Sequence, residues 1–189
     1  MNIVEPIRDT AQLNALKARL HQTNLRDYAW CVVGINCGLR IGDLLRLKVG
    51  DVRISRTRWR ERIAVREQKT GKTKEFPLSD VMKKALGEYL ATRPGVSLSA
   101  PLFPSQKGGR PLTRQAAWRI LSEAADAVGI TENIGTHTLR KTFGYHAYQT
   151  GADLTVIQDI FNHSAPHVTL RYIGINRDQR DAVYLSLNL

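Results

Sequence analysis

Residues 25–36 (LRDYAWCVVGIN) are nearly all apolar and lead into Cys37-Gly38, and this segment constrains the chain more than any other. A helix that is apolar on most of its sides must be enclosed by other elements, so the segment predicts a buried helix stopped by Gly38. It is also too short to cross a membrane. No apolar run in the chain approaches the roughly 18 residues that a crossing needs. The N-terminus, MNIVEPIRDT, lacks the basic-then-apolar pattern of an export signal. The chain has 189 residues, of which 42% are hydrophobic. That supports one domain with a true core and is too short for two full-sized ones. Cys31 and Cys37 are the two cysteines, which excludes a disulfide framework and a four-cysteine zinc cluster and fits a reducing intracellular setting. Both are expected to be core thiols.

Other helices follow from spacing and caps. Residues 10–22 carry apolar residues at 13, 16 and 20, with Thr10 as a candidate cap. IGDLLRLKV predicts an amphipathic helix with Leu44, Leu45 and Leu47 inward. Ser79 or Asp80 opens a helix running to about Thr92, and Thr113 opens another that stops at Gly129. Between them a Pro/Gly/Ser-rich loop presents the apolar segment PLF. Two further helices are expected at about 138–150 and 153–162. The tail AVYLSLNL alternates Val183, Leu185, Leu187 and Leu189, which predicts a short strand added to a sheet of its own or a neighbouring protomer. Trp30, Trp118 and Phe143 are expected in the core.

The charge is unevenly placed. The net charge is +11, and residues 53–74 hold nine Lys or Arg against Glu61 and Glu67, so this stretch contributes +7. A polyanionic partner, nucleic acid first, is the expectation. Within the run Trp59, Ile63 and Val65 occupy odd positions while Arg58, Arg60, Arg62 and Arg66 occupy even ones. That period of 2 predicts a strand with one buried and one basic face. KTGKTK, which contains Lys69, Lys72 and Lys74, then makes a glycine-centred turn, and KEFPL returns as a second strand. The fold class is therefore α+β and mainly α, with a small antiparallel sheet near residues 52–78.

Four segments hold polar residues that the helical pattern does not require. CGLRIGD places Arg40 at a helix start with Asp43 three residues on, where a carboxylate can orient the guanidinium. QKTGK puts Lys69 at the hairpin tip. THTLRKTFGYH sets His137 and Arg140 three apart, on one face of a helix beginning there. FNHSAPHVTLRYIGI carries His163 and, nine positions later, Tyr172. Any one of these alone reads more simply as a surface ion pair, a solvated lysine or a structural histidine.

Together they resemble the tyrosine recombinase family of phage integrase type, over nearly the whole chain. That family carries an arginine in a G-L-R-x-x-E/D segment, a lysine at a β-hairpin, an H-x-x-R box, a G-H-S-like histidine and a nucleophilic tyrosine. Arg40, Lys69, His137, Arg140, His163 and Tyr172 stand in that order. Cys37 departs from the usual Thr before G-L-R, and Asn162 from the usual Gly before H-S. Tyr145, Tyr148 and Tyr184 lack the spacing to His163, and His146 and His167 match no family position.

The resemblance implies a site-specific DNA recombinase that cleaves and rejoins DNA through a 3′-phosphotyrosyl intermediate. Tyr172 would be the nucleophile, His137 its base, and Lys69 the acid for the leaving 5′ oxygen. Arg40, Arg140 and His163 would stabilise the phosphoryl charge, with Asp43 behind Arg40. Arg58, Arg60, Arg62, Arg66, Lys72 and Lys74 would bind DNA. Neither cofactor nor metal is expected. The implied partners are double-stranded DNA and further copies of the chain, a tetramer on DNA and a monomer when free, with a cytoplasmic, nucleoid-associated location. Residues 1–189 read as one catalytic domain with no N-terminal core-binding domain, either a short recombinase or a catalytic piece of a longer chain. A DNA-binding regulator or architectural protein that keeps the fold with little turnover is the alternative from another class, and a topoisomerase-like relaxing activity is a third reading.

Overall fold

The computed structural model describes residues 4–187 apart from residue 107. For residues 176–180 and 183 it describes the backbone alone. The helices, in chain order, are α1 Thr10–Thr23, α2 Leu25–Cys37, α3 Ile41–Leu44, α4 Val49–Val52, α5 Asp80–Ala91, α6 Arg114–Asp126, α7 Thr138–Gln149, α8 Leu154–Phe161, α9 Pro166–Ile173 and α10 Ile175–Ser186. A single antiparallel pair, β1 Arg62–Arg66 and β2 Thr73–Pro77, lies between α4 and α5.

The apolar segment is the central helix, as expected. α2 packs against α1, α5 and α7, Ala29, Trp30, Cys31 and Val33 are wholly buried, and Gly38 ends it in the left-handed conformation at φ 60°. Its two buried ionic residues satisfy each other: Arg26 Nε donates to Asp27 Oδ1 at 2.8 Å, Trp30 Nε1 donates to the same oxygen at 3.0 Å, and Arg26 Nη1 reaches the Pro104 carbonyl at 2.8 Å. That last bond fixes the loop that brings Leu102 and Phe103 into the core, both fully buried. Asp9 rather than Thr10 caps α1, its side chain accepting from Ala11 N.

Several expectations are corrected. The helix expected over IGDLLRLKV is broken after α3, because the backbone of residues 47–50 pairs instead with the loop at 98–102, through Leu102 N to Leu47 O at 2.7 Å, Val49 N to Ala100 O at 3.0 Å and Gly50 N to Leu98 O at 2.7 Å. Leu44, Leu45 and Leu47 are nevertheless buried. The basic strand is shorter than its alternation suggested, since residues 53–59 close a turn by an isolated Arg53 to Trp59 bridge. Over β1 itself exposure alternates as predicted, with Ile63 and Val65 buried and Arg62, Ala64 and Arg66 exposed. Trp118 is 46% exposed and donates to the Ile134 carbonyl at the edge of the core.

The tail is also corrected, because residues 175–186 continue as helix α10 and not as a strand. The alternation of four aliphatic residues carries little weight without a neighbouring edge to hydrogen-bond to. Tyr184 and Leu185 are 78% exposed. Leu189 and the side chain of Val183 lie outside the described residues.

A second, smaller core forms from α7, α8, α9 and the start of α10. Ile157, Phe161, Ile173 and Ile175 are buried there, with Phe143, Tyr145, Tyr148 and Tyr172 packed around them. Gly144 permits this: a Cβ at that position would lie 2.7 Å from both the Phe161 ring and Ile173. The N-terminal segment is strapped onto α7 by Lys141 Nζ to Val4 O at 2.7 Å, Ile7 N to Thr142 Oγ1 at 3.0 Å and a 3.0 Å contact between His146 Nε2 and Ile7 O. Gly144→Ala gains about 1 kcal/mol of helix propensity but overpacks the cluster by about 1–3 kcal/mol. A net loss of up to about 2 kcal/mol is expected in urea unfolding, and a raised midpoint would show that α8 and α9 yield to the added methyl.

Candidate active site

Arg140 is the structural centre of the candidate site. It lies on the first turn of α7, is 2% exposed, and its guanidinium donates to two helix-terminal carbonyls: Nη1 to Gly38 O at the end of α2 and Nη2 to Phe161 O at 2.7 Å at the end of α8. It also stacks 4.3 Å over the Phe161 ring. Carbonyls at a helix C-terminus lack intrahelical donors and carry partial negative charge, so a buried cation is well placed there.

Arg40 stands at the start of α3, immediately after the left-handed turn at Gly38. Its Nη1 lies 2.8 Å from Glu67 Oε1, off the direction of an aligned hydrogen bond, so the attraction is mainly Coulombic. Asp43 takes another role than the one expected of it. Its Oδ1 accepts from Arg46 Nη2 at 2.6 Å and from Gln68 N at 3.1 Å, which pins the base of the hairpin to α3 and leaves Glu67 as the ion-pair partner of Arg40.

The turn between β1 and β2 exposes Lys69. A cleft of about 280 Å³ is lined by Arg40, Lys69, Arg114, Thr136 and His137, together with the backbone around Gly42. Three of the motif residues therefore share one concavity although 97 positions separate Arg40 from His137 in the chain. Lys72 reaches across to Asn162 Oδ1 at 3.0 Å. Asn162 is the one non-glycine with positive φ (50°) among the described residues, so the residue standing where glycine is usual keeps the turn and adds a side-chain tie to the hairpin.

His137 precedes α7, and its Nδ1 lies 3.0 Å from the Tyr172 hydroxyl. His163, after the left-handed Asn162, has its ring 5.0 Å from that of Tyr172, and its Nδ1 lies 3.1 Å from Thr169 Oγ1. Tyr172 is on α9, wedged edge-on against His137, Phe161 and His163. Among its rivals, Tyr145 packs edge-on against His146, which is not a motif residue, and Tyr184 is 78% exposed.

Burial and mutual repulsion set the protonation states. The pKa of His163 is pushed down to about 4 by burial first and then by Arg140, Arg40 and Lys69, and that of His137 is lowered by burial and the same cations with Lys141. Both imidazoles are neutral at pH 7, so a Tyr172 hydroxyl can donate to an unprotonated Nδ1 of His137. Burial raises the Tyr172 pKa, opposed by Arg140 and Arg40. The Cys37 thiol is pushed up to about 11, chiefly by burial, which makes it inert. Its Sγ accepts from Leu39 N at 3.4 Å and so supports the turn into Arg40.

Arg58, Arg60, Arg62, Arg66 and Lys72 are exposed on the sheet and its approach. Lys74 is not part of that surface. It shares the parity of Phe76 on β2, so it turns inward and its Nζ reaches the Cys37 carbonyl at 3.4 Å; burial lowers its pKa to about 8, with repulsion from Arg140 second. Glu67, Arg114 and Thr169 were not singled out from the sequence. Glu67 did carry a signal, since it shares the odd parity of Ile63 and Val65 and is 3% exposed. Thr169 is fully buried three residues before Tyr172, and nothing in the helical pattern of α6 marks Arg114.

A model of the phage integrase family matches residues 8–179, and the chain belongs to that family. A probable integrase/recombinase, YoeC of Bacillus subtilis (strain 168), is 42% identical over 184 residues, covering 97% of this chain and 97% of that protein. Tyrosine recombinase XerD of Corynebacterium glutamicum is 34% identical over 164 residues, which span 85% of this chain and 52% of that protein. Among solved structures, XerA recombinase superposes with a TM-score of 0.75 over 98% of this chain and 64% of its own length, at 24% identity. The architecture is that of a tyrosine recombinase catalytic domain, mainly helical with a small antiparallel sheet.

Because the folded-state pKa of His163 lies below its unfolded value of 6.5, the unfolded chain takes up the proton first as pH falls. The stability held by the neutral ring is complete above about pH 6.5 and is lost toward pH 4. Thermal melts of the DNA-free protein at pH 7 and 4.5 should show a larger fall in Tm for the wild type than for His163→Gln; equal falls would mean that His163 titrates normally.

Proposed function

We propose that the protein is a site-specific DNA recombinase acting through a covalent 3′-phosphotyrosyl intermediate. The observation that carries this reading is the Tyr172 hydroxyl held 3.0 Å from His137 Nδ1 beside Arg140 and His163. A purely DNA-binding protein has no need of that arrangement.

A phosphodiester repels nucleophiles through its non-bridging oxygens, and the pentacoordinate transition state gathers further charge on them. Arg40 and Arg140 neutralise that charge with planar donor forks, and His163 adds a hydrogen bond from Nε2, with Nδ1 accepting the Thr169 hydroxyl. The free pKa of tyrosine is near 10, and burial raises that of Tyr172. Attack therefore needs a base, and the neutral His137 accepts the phenolic proton as Tyr172 Oη bonds to phosphorus. The bond from phosphorus to the 5′ oxygen breaks, and Lys69 protonates that oxygen from its exposed turn. The products are a 3′-phosphotyrosyl bond and a free 5′ hydroxyl. The phosphodiester energy is conserved in that bond, so rejoining to a 5′ hydroxyl needs no ATP. Charge neutralisation rests on the side chains without a metal.

Arg58, Arg60, Arg62, Arg66 and Lys72 hold the duplex backbone beside the cleft, and Arg114 adds a cation to its wall. Arg62 pairs with Glu75 at 2.7 Å, both about half exposed, and such an exposed pair exchanges readily for a phosphate. Strand exchange rather than resealing requires several copies of the chain on DNA, as a tetramer. Membership of the family and similarity to bacterial recombinases support a cytoplasmic, nucleoid-associated location as part of this reading.

The test uses a library of nicked suicide duplexes of randomised sequence, scored for protein-DNA adducts that survive detergent. The wild type should give an adduct and Tyr172→Phe none. Absence of adduct in the wild type, or an undiminished one in Tyr172→Phe, would sink the mechanism. Lys69→Ala should slow cleavage by about 10²–10⁴-fold, and much less on a duplex whose leaving 5′ oxygen is replaced by sulfur, which departs as a thiolate without a proton. Equal slowing on both substrates would assign the acid elsewhere.

A further inference from the structure

We infer that Glu67 is a positioning residue for Arg40, bracing the guanidinium from outside the cleft that Arg40 lines and joining it to the turn that carries Lys69. The inference rests on the phosphotyrosyl chemistry proposed above.

Glu67 is an acid in a stretch otherwise dominated by cations, directly after β1. A free carboxylate beside a phosphate site would oppose the substrate, but this one is enclosed, with 4% of its side chain exposed. Both oxygens are engaged. Oε1 lies 2.8 Å from Arg40 Nη1, and Oε2 accepts the Thr70 hydroxyl at 2.8 Å. Its backbone closes the same turn, with Glu67 N donating to Lys72 O at 2.9 Å and Gly71 N donating to Glu67 O at 2.9 Å.

Arg40 lines the cleft with Lys69 and His137, and Glu67 does not. Glu67 instead borders a separate cavity with Lys72 and Lys74. Arg40 thus lines the cleft while its guanidinium is paired to an anion that does not. A long arginine side chain has many rotamers, and a 2.8 Å ion pair with an enclosed carboxylate restricts them before substrate arrives. That is how preorganised charge acts at a transition state without reorganisation.

The arrangement also balances charge. Beside burial, Arg140 and Arg40 lower the pKa of Lys74, and with Lys69 they lower those of both histidines. Burial opposes ionisation of Glu67, yet its pKa is lowered through Thr70, Arg40 and Arg140, so it stays an anion among them. Because Thr70 and the Lys69 turn share this carboxylate, the capture of phosphate by Arg40 and the placement of Lys69 are linked through one residue.

The experiment measures single-turnover adduct formation on a nicked duplex selected with the wild type, in the full chain. Glu67→Gln keeps the shape and the acceptor for Thr70 while removing the anion. It should slow the step by roughly 10–100-fold at a temperature where its melting curve shows the variant fully folded, with duplex affinity near wild type. Slowing by less than about 2-fold would overturn the role. A double-mutant cycle with Arg40→Lys separates positioning from a general structural loss: the same Glu67→Gln change should cost far less once the braced fork is gone, whereas full slowing in both backgrounds would show that Glu67 does not act through Arg40. A wild type that forms no adduct would overturn the phosphotyrosyl reading and this role with it. An active wild type with an unimpaired Glu67→Gln would overturn this role alone.

Discussion

The buried guanidinium of Arg140 holds the two halves of the domain in register. One core surrounds α2; the other joins α7, α8 and α9. Arg140 sits where they meet, donating to the last carbonyls of α2 and α8. A buried charge is costly unless it is paired and hydrogen-bonded, and removing its partners would be strongly destabilising. The left-handed Gly38 turn that launches Arg40, the Phe161 carbonyl and the Asn162-His163 turn are therefore fixed by one side chain. Tyr172 depends on the same contact indirectly, because its ring packs on Phe161.

The resting site is an accumulation of like charge, and the departures from ordinary pKa values follow from that. Burial is the first cause for Lys74, His137 and His163, and neighbouring guanidiniums are the next. Such a site is stabilised by whatever anion enters it, and Glu67 is the anion the fold itself supplies. The basic sheet, by contrast, is solvated and holds its arginines through weak exposed contacts such as Arg62 with Glu75. In the proposed function it supplies long-range attraction, while Arg40 and Arg140 act at contact.

Much of the site was legible as order and spacing. Arg40, Lys69, His137, Arg140, His163 and Tyr172 belong to short motifs whose sequence separations match the family pattern. Period 2 along β1 separated Ile63 and Val65 from the arginines, and Glu67 continues the inward parity of that strand; Lys74, expected among the DNA-binding residues, lies on β2, where it shares the inward parity of Phe76. Less was legible where partners decide. Asp43 was expected to orient Arg40 because three residues on a helix is a reachable distance, but Arg46 and the Gln68 amide took its oxygen. The tail alternated like a strand, but its backbone runs on as α10.

The sequence by itself determined the central buried helix with its stop at Gly38, the basic antiparallel hairpin, the starts of α5 and α6 at Ser79 and Thr113, and the identity and order of the motif residues. These are local properties, set by periodicity, caps and backbone restrictions within a few positions. The tertiary structure alone decided that Glu67 rather than Asp43 pairs with Arg40, that Lys74 reaches the Cys37 carbonyl, that Thr169 faces His163, and that Arg114 joins the cleft. Each of those contacts depends on which segments meet across tens of residues and on which of several reachable partners a buried charge takes, and local pattern does not encode that competition.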